Sequence, residues 1–390
     1  MSHTSIGTPK DGIHRQNPKG NETRRHPDRA ADALRRVAQH ENRAHAWREV
    51  SVDDPGSRRA GDRVISRRRI LLGLAGCMAA FELRRVQAQE RIRRVAFIGS
   101  TTRAAAGHLL EALIAGMREH GWNEGRNLAL DVRYADGDPA RYAPIAAELL
   151  ALRPEVVVTG TDAVAQSVAS LTKSHPIVFC LGFDAVGLGL VRTLARPSAN
   201  VTGLSILAFE LVVKRVALLK QAVPRLERLG VLAREGDTNT ERWISPLTAE
   251  VRKIGVTPTP AWVKQADDLP ATFDRIVGEG AQALLEMPEP LFFQHRQHVA
   301  DLTLRHRLPT AFTTAEHVDA GLMMAYAVNL AAAFRRAATL VDKILKGANP
   351  ATMPVEQANV YELHLNLRTA KSLGLAIPRS LLVQAARVIE

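Results

Sequence analysis

From about residue 94 onward, short apolar runs alternate with longer amphipathic segments. Runs rich in valine, isoleucine and leucine, such as 94–100 and 155–160, are followed by segments whose apolar residues recur every three or four positions. The short runs predict buried strands, and the longer segments predict helices. Because strands that alternate with helices form parallel sheets covered by helices, we predict an α/β fold.

Two series of these elements follow one another. The first predicts strands at 94–100, 127–135, 155–160 and 176–182 and helices at 103–120, 139–151 and 161–172. The second predicts helices at 208–222, 239–254, 267–279 and 291–306 and strands at 228–233, 256–263, 282–287 and 308–313. The pattern ends with an apolar run at 321–327, a helix at 329–346 and a run at 361–367.

This order predicts two doubly wound parallel-sheet lobes joined by a hinge, because 390 residues exceed the usual size of one compact core. We assign 94–205 to the N-terminal lobe and 206–320 to the C-terminal lobe, and we expect parts of 321–390 to complete both. The chain is therefore expected to cross between the lobes near 205 and 320.

The segment before the first strand has two parts. Residues 1–63 are polar and basic and lack an apolar period, so we predict a disordered basic extension. In 64–88, the basic cluster Arg67–Arg69 precedes the apolar run Ile70–Phe81 and small residues that end at Ala88. A run of this length is too short for a permanent membrane span and is typical of a signal peptide. The segment resembles a twin-arginine signal that is cleaved after Ala88.

Other interpretations of this segment stay open. A buried amphipathic helix of a cytosolic protein is less favoured, because the run has no polar face. Leu74–Cys77 looks like a lipobox, which would make Cys77 a lipid anchor, although the apolar run before it is short. Since a twin-arginine signal normally lies near the true N-terminus, we hypothesise that the start is misassigned and that translation begins near Val64.

The net charge of +12 first suggests nucleic-acid binding. Residues 1–94, however, hold 21 lysines and arginines against 11 acidic residues, which is a net charge of +10. The rest of the chain therefore carries only +2 and offers no broad cationic face for phosphates. We predict no nucleic-acid partner.

Motifs of the common enzyme classes do not occur in the sequence. Gly-x-Ser-x-Gly, Walker and His-Glu-x-x-His motifs are absent, and Gly187–Arg192 has an arginine at the third glycine position of a dinucleotide loop. His295 and His298 share a helix face without a further metal ligand, so a solvated face is favoured. Glu316 and Asp319 form an acid pair without a nucleophile. We predict no enzyme activity, no cofactor and no metal.

Polar turns follow two of the predicted strands. Ser100–Thr102 ends the first strand, and Gly160–Asp162 ends the third. The carboxyl ends of parallel strands line ligand clefts, and two hinged sheets would place these ends across one cleft. Backbone N–H groups and a hydroxyl there can hold a carboxylate, whereas plain helix capping needs no ligand. For Thr161 both interpretations stay open.

Several segments in a fixed order resemble a known family. They are 124–138, 195–205, 214–224, 287–296, 335–357 and 366–378. Together they are similar to ABC-transporter substrate-binding proteins, which include tryptophan-binding members and have the type I periplasmic binding fold. The resemblance extends from about Arg94 to Glu390.

The resemblance implies a function and partners. An exported protein would capture a small solute in the periplasm by hinge closure and present it to a membrane permease and its ATPase. The capping-type turns suit an amino acid or a similar small anionic or zwitterionic molecule. Two alternatives stay open, a ligand sensor of the same fold that acts on a membrane receptor and an α/β enzyme.

The family fold also implies which residues line the cleft. From the first lobe these are Ser100, Gly160, Thr161, Phe183, Asp184, Asn200, Thr202 and Gly203, and from the second they are Glu289, Glu316, Tyr326 and Asn329. The chain departs from the family's usual pattern at 184–186, 234–236 and 320–325, all near the expected cleft. Its solute can therefore differ from that of better-known members.

Overall fold

A computed structural model describes residues 91–197, 200–206, 208–358 and 360–390. The predictions for 1–63 and 64–88 lie outside these residues, including the twin-arginine pair, the cleavage after Ala88 and the lipid anchor at Cys77. No helix within the described ranges is both long and apolar enough to cross a membrane.

Strands and helices alternate as predicted. The first elements are β1 (Arg93–Gly99), α1 (Arg103–Glu119), β2 (Leu128–Tyr134), α2 (Tyr142–Ala151), β3 (Val156–Thr161), α3 (Asp162–Leu171), β4 (Ile177–Gly182), β5 (Val201–Ser205) and α4 (Ala208–Ala222). They are followed by β6 (Arg228–Arg234), α5 (Thr238–Arg252), β7 (Thr257–Val263), α6 (Leu269–Gly278), β8 (Ala283–Glu286), α7 (Pro290–Gln294), α8 (Arg296–Arg305), β9 (Thr310–Ala311), α9 (Ala315–Asp319) and β10 (Met324–Ala327). The last are α10 (Leu330–Leu345), β11 (Glu356–Gln357), β12 (Glu362–Asn366), α11 (Leu367–Ser372), α12 (Arg379–Gln384) and β13 (Ala385–Ile389).

The described strands form three sheets, one in the first lobe and two connected sheets in the second. The first sheet has the order β11-β5-β4-β3-β1-β2, and all neighbours are parallel. A second parallel sheet has the order β7-β6-β8-β9. Strands β10, β12 and β13 form a third sheet, which a bridge between Phe312 and Ala325 connects to the second. The prediction of two doubly wound α/β lobes is thus confirmed.

The central strands explain why the first lobe is stable. Every residue of β3 and β4 is buried, as expected for strands covered by helices on both faces.

Helix α10 packs along α1, and a Cβ at Gly116 would lie only 2.6 Å from the backbone oxygen of Arg335. Glycine at this position lets the two helix backbones approach closely, so α10 belongs to the first lobe.

In the described part of the chain, three crossings connect the lobes. They follow Ser205, Ala327 and Gln357, where the chain leaves one sheet and enters the other lobe. The backbone N–H of Ala358 donates to the oxygen of Ser205 at 2.9 Å, so two of the crossings lie side by side. We expected crossings near 205 and 320. The structure places the second after Ala327, because β10 pairs with β12.

The structure differs from the predicted elements in several places. The helix predicted at 291–306 is divided into two, because the backbone at His295 has φ −101° and ψ 23° and leaves the helical region. The strand predicted at 308–313 contains only Thr310–Ala311, the two residues that pair with β8. Strands β11 and β13 were not predicted, since one has two residues and the other has no buried residue.

Candidate functional site

A cavity lies between the lobes at the carboxyl ends of the first-lobe strands. Its first-lobe wall consists of the turns after β1, β3 and β4, with Ser100, Gly160, Thr161 and Phe183. Strands in a parallel sheet all end at the same edge, which explains why turns distant in sequence meet here. The space amounts to about 820 Å³, including the part that is open to solvent.

The second lobe supplies the opposite wall. Pro288–Pro290 follows β8, and Thr313–Thr314 follows β9, so this lobe also presents the carboxyl ends of its strands. Arg215 reaches the cavity from α4. Val328 and Leu330 line it from the crossing between β10 and α10. The cavity is therefore bounded by both lobes and by the segment that connects them.

Aromatic rings from both lobes line the cavity. Phe97 lies 6.1 Å from Tyr134 and 6.4 Å from Phe334, measured between ring centroids. Phe293 contributes a further ring from the second lobe. The hydroxyl of Tyr134 is buried and has no hydrogen-bond partner. The cavity can thus surround an apolar or aromatic group and still offer one hydroxyl to it.

Two threonines at the first-lobe edge cap helices to different degrees. Thr102 Oγ1 accepts from the backbone N–H of Ala105 at 3.2 Å and caps α1. Thr161 Oγ1 accepts from the N–H of Val164 at 3.5 Å, which is longer than an ordinary hydrogen bond. The cap at Thr161 is therefore weak, and its hydroxyl has capacity for a second partner in the cavity.

Arg215 is a buried cation on an apolar helix face. Leu211 and Val212 beside it are buried, and Arg215 itself is 1% exposed. Its Nε–H donates to the backbone oxygen of Tyr326 at 2.9 Å, whereas Nη1 has no partner. Burial lowers the pKa of Arg215 to about 10, so the guanidinium stays charged at neutral pH.

Glu286 and His317 form a buried polar pair behind Thr313. Glu286 Oε2 accepts from the N–H of Thr313 at 3.1 Å and from its hydroxyl at 2.7 Å. Glu286 Oε1 lies 3.5 Å from His317 Nε2. Burial raises the pKa of Glu286 to about 8 and lowers the pKa of His317 to about 3. At neutral pH both groups are therefore mostly uncharged, and their contact is not an ion pair.

Glu289 is the acidic residue of the cavity wall, and it is already paired. Arg234 Nη1 donates to Glu289 Oε1 at 2.9 Å and to the backbone oxygen of Gly137 in the first lobe, also at 2.9 Å. Burial raises the pKa of Glu289 to about 7, while the Arg234 charge opposes this rise. Arg234 thus connects the acidic wall to the opposite lobe.

Five of the twelve residues expected in the cleft line the cavity, namely Ser100, Gly160, Thr161, Phe183 and Glu289. At Gly160, an added Cβ would meet only backbone atoms at 3.7 Å or more. Packing therefore does not require glycine here, and its absent side chain leaves room in the cavity.

Three of the other seven residues lie on β5 or just before it, away from the cavity. The side-chain amide of Asn200 donates to the backbone oxygens of Thr172 and His175 at the amino end of the sheet. Thr202 is fully buried and donates to the oxygen of Met353, and a Cβ at Gly203 would clash with the Phe179 backbone. Because parallel strands meet the cavity at their carboxyl ends, the start of β5 does not reach it.

The remaining four lie at the rim or at the crossings. Asp184 pairs with Arg242 of the second lobe, and Glu316 Oε1 lies 3.4 Å from His108 Nε2 of the first. The ring of Tyr326 lies 6.2 Å from that of Tyr361 near the crossings, and the side chain of Asn329 caps α10. Asp184 and Glu316 thus connect the lobes rather than line the cavity.

The sequence interpretation missed the cationic and aromatic parts of the site, which are Phe97, Tyr134, Arg215, Phe293 and Phe334. Arg215 did carry a signal, because it occupies a buried position of the three-to-four repeat in α4. The aromatic residues carried none, since rings on apolar faces are also typical of an ordinary core. Among the residues with described positions, no group of three or more potential metal ligands occurs.

Residues 99–389 match the family of ABC transporter substrate binding proteins. The chain belongs to this family. A curated relative is the tyrosine-binding protein of Clostridioides difficile (strain R20291). It is 20% identical over 265 residues, which span 68% of this chain and 76% of the relative.

Two solved structures resemble this substrate-binding protein along their full length. A conserved domain protein from Vibrio cholerae is 26% identical with a TM-score of 0.72, and the match covers 76% of this chain and 100% of that one. An ABC domain from Streptococcus pneumoniae in complex with L-Trp is 22% identical with a TM-score of 0.71, with the same coverage. The family, the two-lobed fold and the prediction of a binding protein rather than an enzyme are confirmed.

Proposed function

We propose that this chain is the exported solute-binding component of an ABC importer. It captures a small solute, an amino acid or a similar anionic or zwitterionic molecule, in the cavity between its lobes. The observation that carries the proposal is the position of the cavity. Hydroxyl-bearing turns at the ends of β1 and β3 lie in the same cavity as the buried cation of Arg215, and the rest of the wall is largely apolar.

The relatives support a solute of this kind. One is named a tyrosine-binding protein, and another holds L-Trp in its solved structure. We propose that Ser100, Gly160, Thr161, Phe183 and Glu289 contact the solute. The hydroxyls and the glycine backbone receive its polar groups, and the ring of Phe183 covers its apolar part.

We propose that capture proceeds by hinge closure around the three crossings. The lobes are then 94–205 and 206–320 with parts of 321–390, and the second crossing follows Ala327. Arg234 and Arg242 make contacts between the lobes that must break when the cleft opens. A solute that touches both walls favours the closed form, because only that form provides all of its contacts.

Export follows from the predicted leader. We propose that residues 64–88 are a twin-arginine signal removed after Ala88, so that the protein works in the periplasm beside its permease and ATPase. Mass analysis of the mature protein tests this. A first residue of Gln89 supports cleavage, a lipid on Cys77 supports the anchored alternative, and an uncleaved chain contradicts both.

A thermal-shift screen tests solute capture. The full chain is screened against amino acids, aromatic acids and small carboxylates, since a ligand at about 100 times its Kd stabilises the folded state by about 2.7 kcal/mol. We expect at least one solute to raise Tm and to be recovered unchanged. No shift across the panel contradicts capture. If a reconstituted permease and ATPase show no transport with the solute-loaded protein, the importer role is contradicted but solute capture is not.

A further inference from the structure

We infer that the solute is an apolar monocarboxylate, which binds through its carboxylate to Arg215 and needs no ammonium group. This inference rests on the proposed solute capture and narrows its chemistry. It follows from the charges in the cavity wall. Of the described residues there, Arg215 is the one cation, and Glu289 is the one carboxylate.

The cation is set up to receive an anion. Arg215 is held in place by its hydrogen bond to the backbone of Tyr326, and Nη1 is buried without a partner. No carboxylate of the described residues lies within 4 Å of the guanidinium, although Glu286 is near enough to influence it electrostatically. A buried charge without a counter-ion is unfavourable, and an anionic solute would supply the missing partner. Arginine also matches the planar geometry of a carboxylate.

Glu286 does not replace that partner. Thr313 occupies one of its oxygens with two hydrogen bonds, and the other faces His317. Both oxygens of Glu286 thus face groups other than Arg215, so the guanidinium remains available to the solute.

The ammonium group of an amino acid finds no unpaired carboxylate among the described residues that line this cavity. An ammonium group would need Glu289, but that carboxylate already accepts from Arg234 at 2.9 Å. Arg234 is itself anchored to the first-lobe backbone at Gly137. An ammonium group would therefore have to compete with a partly buried ion pair while losing its own water. The rings of Phe97 and Phe334 instead suit an uncharged apolar body.

Calorimetry on the full chain with matched ligands tests the inference. We compare 3-phenylpropionate and indole-3-propionate with L-phenylalanine and L-tryptophan, and with the primary amides of the two acids. We expect the acids to bind at least as tightly as the amino acids and about 10-fold to 100-fold more tightly than the amides, as for a hydrogen bond to a charged group. Amino acids that bind while both acids fail would overturn the inference and leave solute capture intact. Failure of the whole panel would overturn both.

A variant tests whether Arg215 causes the preference for the acid over its amide. Arg215→Gln should bind acid and amide equally, whereas Lys214→Gln, which removes the neighbouring charge on the exposed face of α4, should keep the wild-type preference. An Arg215→Gln protein that still prefers the acid would contradict the role of Arg215. If that variant does not fold, the wild-type comparison of acids, amides and amino acids still decides.

Discussion

Arg242 of the second lobe donates to Asp184 of the first, with 2.6 Å between Nη2 and Oδ2. The other oxygen of Asp184 accepts the backbone N–H of Gly187 at 2.9 Å, and Arg242 also donates to Asn239 at 2.7 Å. Both charged groups are thus fixed by neighbours on their own lobe. The pair connects the rims of the cleft and exists only while the lobes are together.

Arg242→Gln should therefore shift the protein toward an open form. A partly exposed ion pair contributes about 0.2 to 1 kcal/mol, so we expect the apparent solute affinity to fall by about 1.4-fold to fivefold. Small-angle X-ray scattering should show a larger radius of gyration without solute. Arg252→Gln on the exposed end of the same helix is the control and should change neither quantity. Equal effects of both variants would show that the rim contact does not favour closure.

Thr161→Val separates the capping role of this residue from solute contact. The weak 3.5 Å cap predicts a small loss of stability, but loss of the hydroxyl should weaken solute binding by about tenfold. Thr102→Val removes a better cap outside the cavity. It should cost about 1 kcal/mol of stability without changing affinity. Calorimetry and chemical unfolding measure the two effects, and an unchanged affinity in Thr161→Val would leave capping as its only role.

Glu286 predicts a pH dependence of stability. Because its pKa is raised to about 8 in the folded protein and lies near 4.5 in the unfolded chain, the folded state retains a proton that the unfolded state loses. The contribution of Glu286 to stability should therefore fall as pH rises from about 4.5 to 8, whereas that of His317 rises up to about pH 6.5. Between about pH 7 and 8, His317 is neutral in the folded protein and mostly neutral in the unfolded chain. In that window the free energy of unfolding should decline less steeply with pH in Glu286→Gln than in the wild type, as measured by chemical unfolding at several pH values. An equal slope in both proteins would contradict a neutral, buried Glu286.

A pair of glycines on α1 predicts opposite effects of the same substitution. At Gly116 a Cβ would lie 2.8 Å from the Cβ of Ala338 as well as against the Arg335 backbone, so Gly116→Ala should destabilise by about 1 to 3 kcal/mol. At Gly107 the nearest atom is 3.7 Å away, and alanine favours helices, so Gly107→Ala should stabilise by about 0.5 to 1 kcal/mol. Urea unfolding measures both, and a neutral Gly116→Ala would show that the helix contact is looser.

Most strands could be predicted because a buried strand is a continuous run of apolar residues, which is visible in the sequence. The runs at 155–160 and 176–182 are apolar on both faces, as only central strands of a covered parallel sheet require. Strand β13 could not be predicted, because none of its residues is buried and it is defined by pairing with β12, about 20 residues earlier. The break at His295 has no residue signal such as proline or glycine.

The site was predicted where it depends on strand ends and missed where it depends on tertiary packing. Ser100 and Gly160 follow strands, so their position at the cavity follows from topology alone. Asn200 was expected in the cleft from the family resemblance. It precedes its strand, however, and therefore lies at the opposite end of the sheet. Arg215 projects from the middle of a helix, and its lack of a partner is visible only once the surrounding chain is folded.

The most direct test of solute capture between the lobes is calorimetry on two matched glycine variants. Gly160→Leu places a side chain in the cavity at a position with space for its Cβ, and Gly278→Leu adds the same side chain on the surface, where no atom lies within 4 Å. We predict that the wild-type protein and Gly278→Leu bind the solute identified in the screen with equal affinity, and that Gly160→Leu remains folded by circular dichroism but binds none. Unchanged binding by a folded Gly160→Leu protein would contradict capture in this cavity.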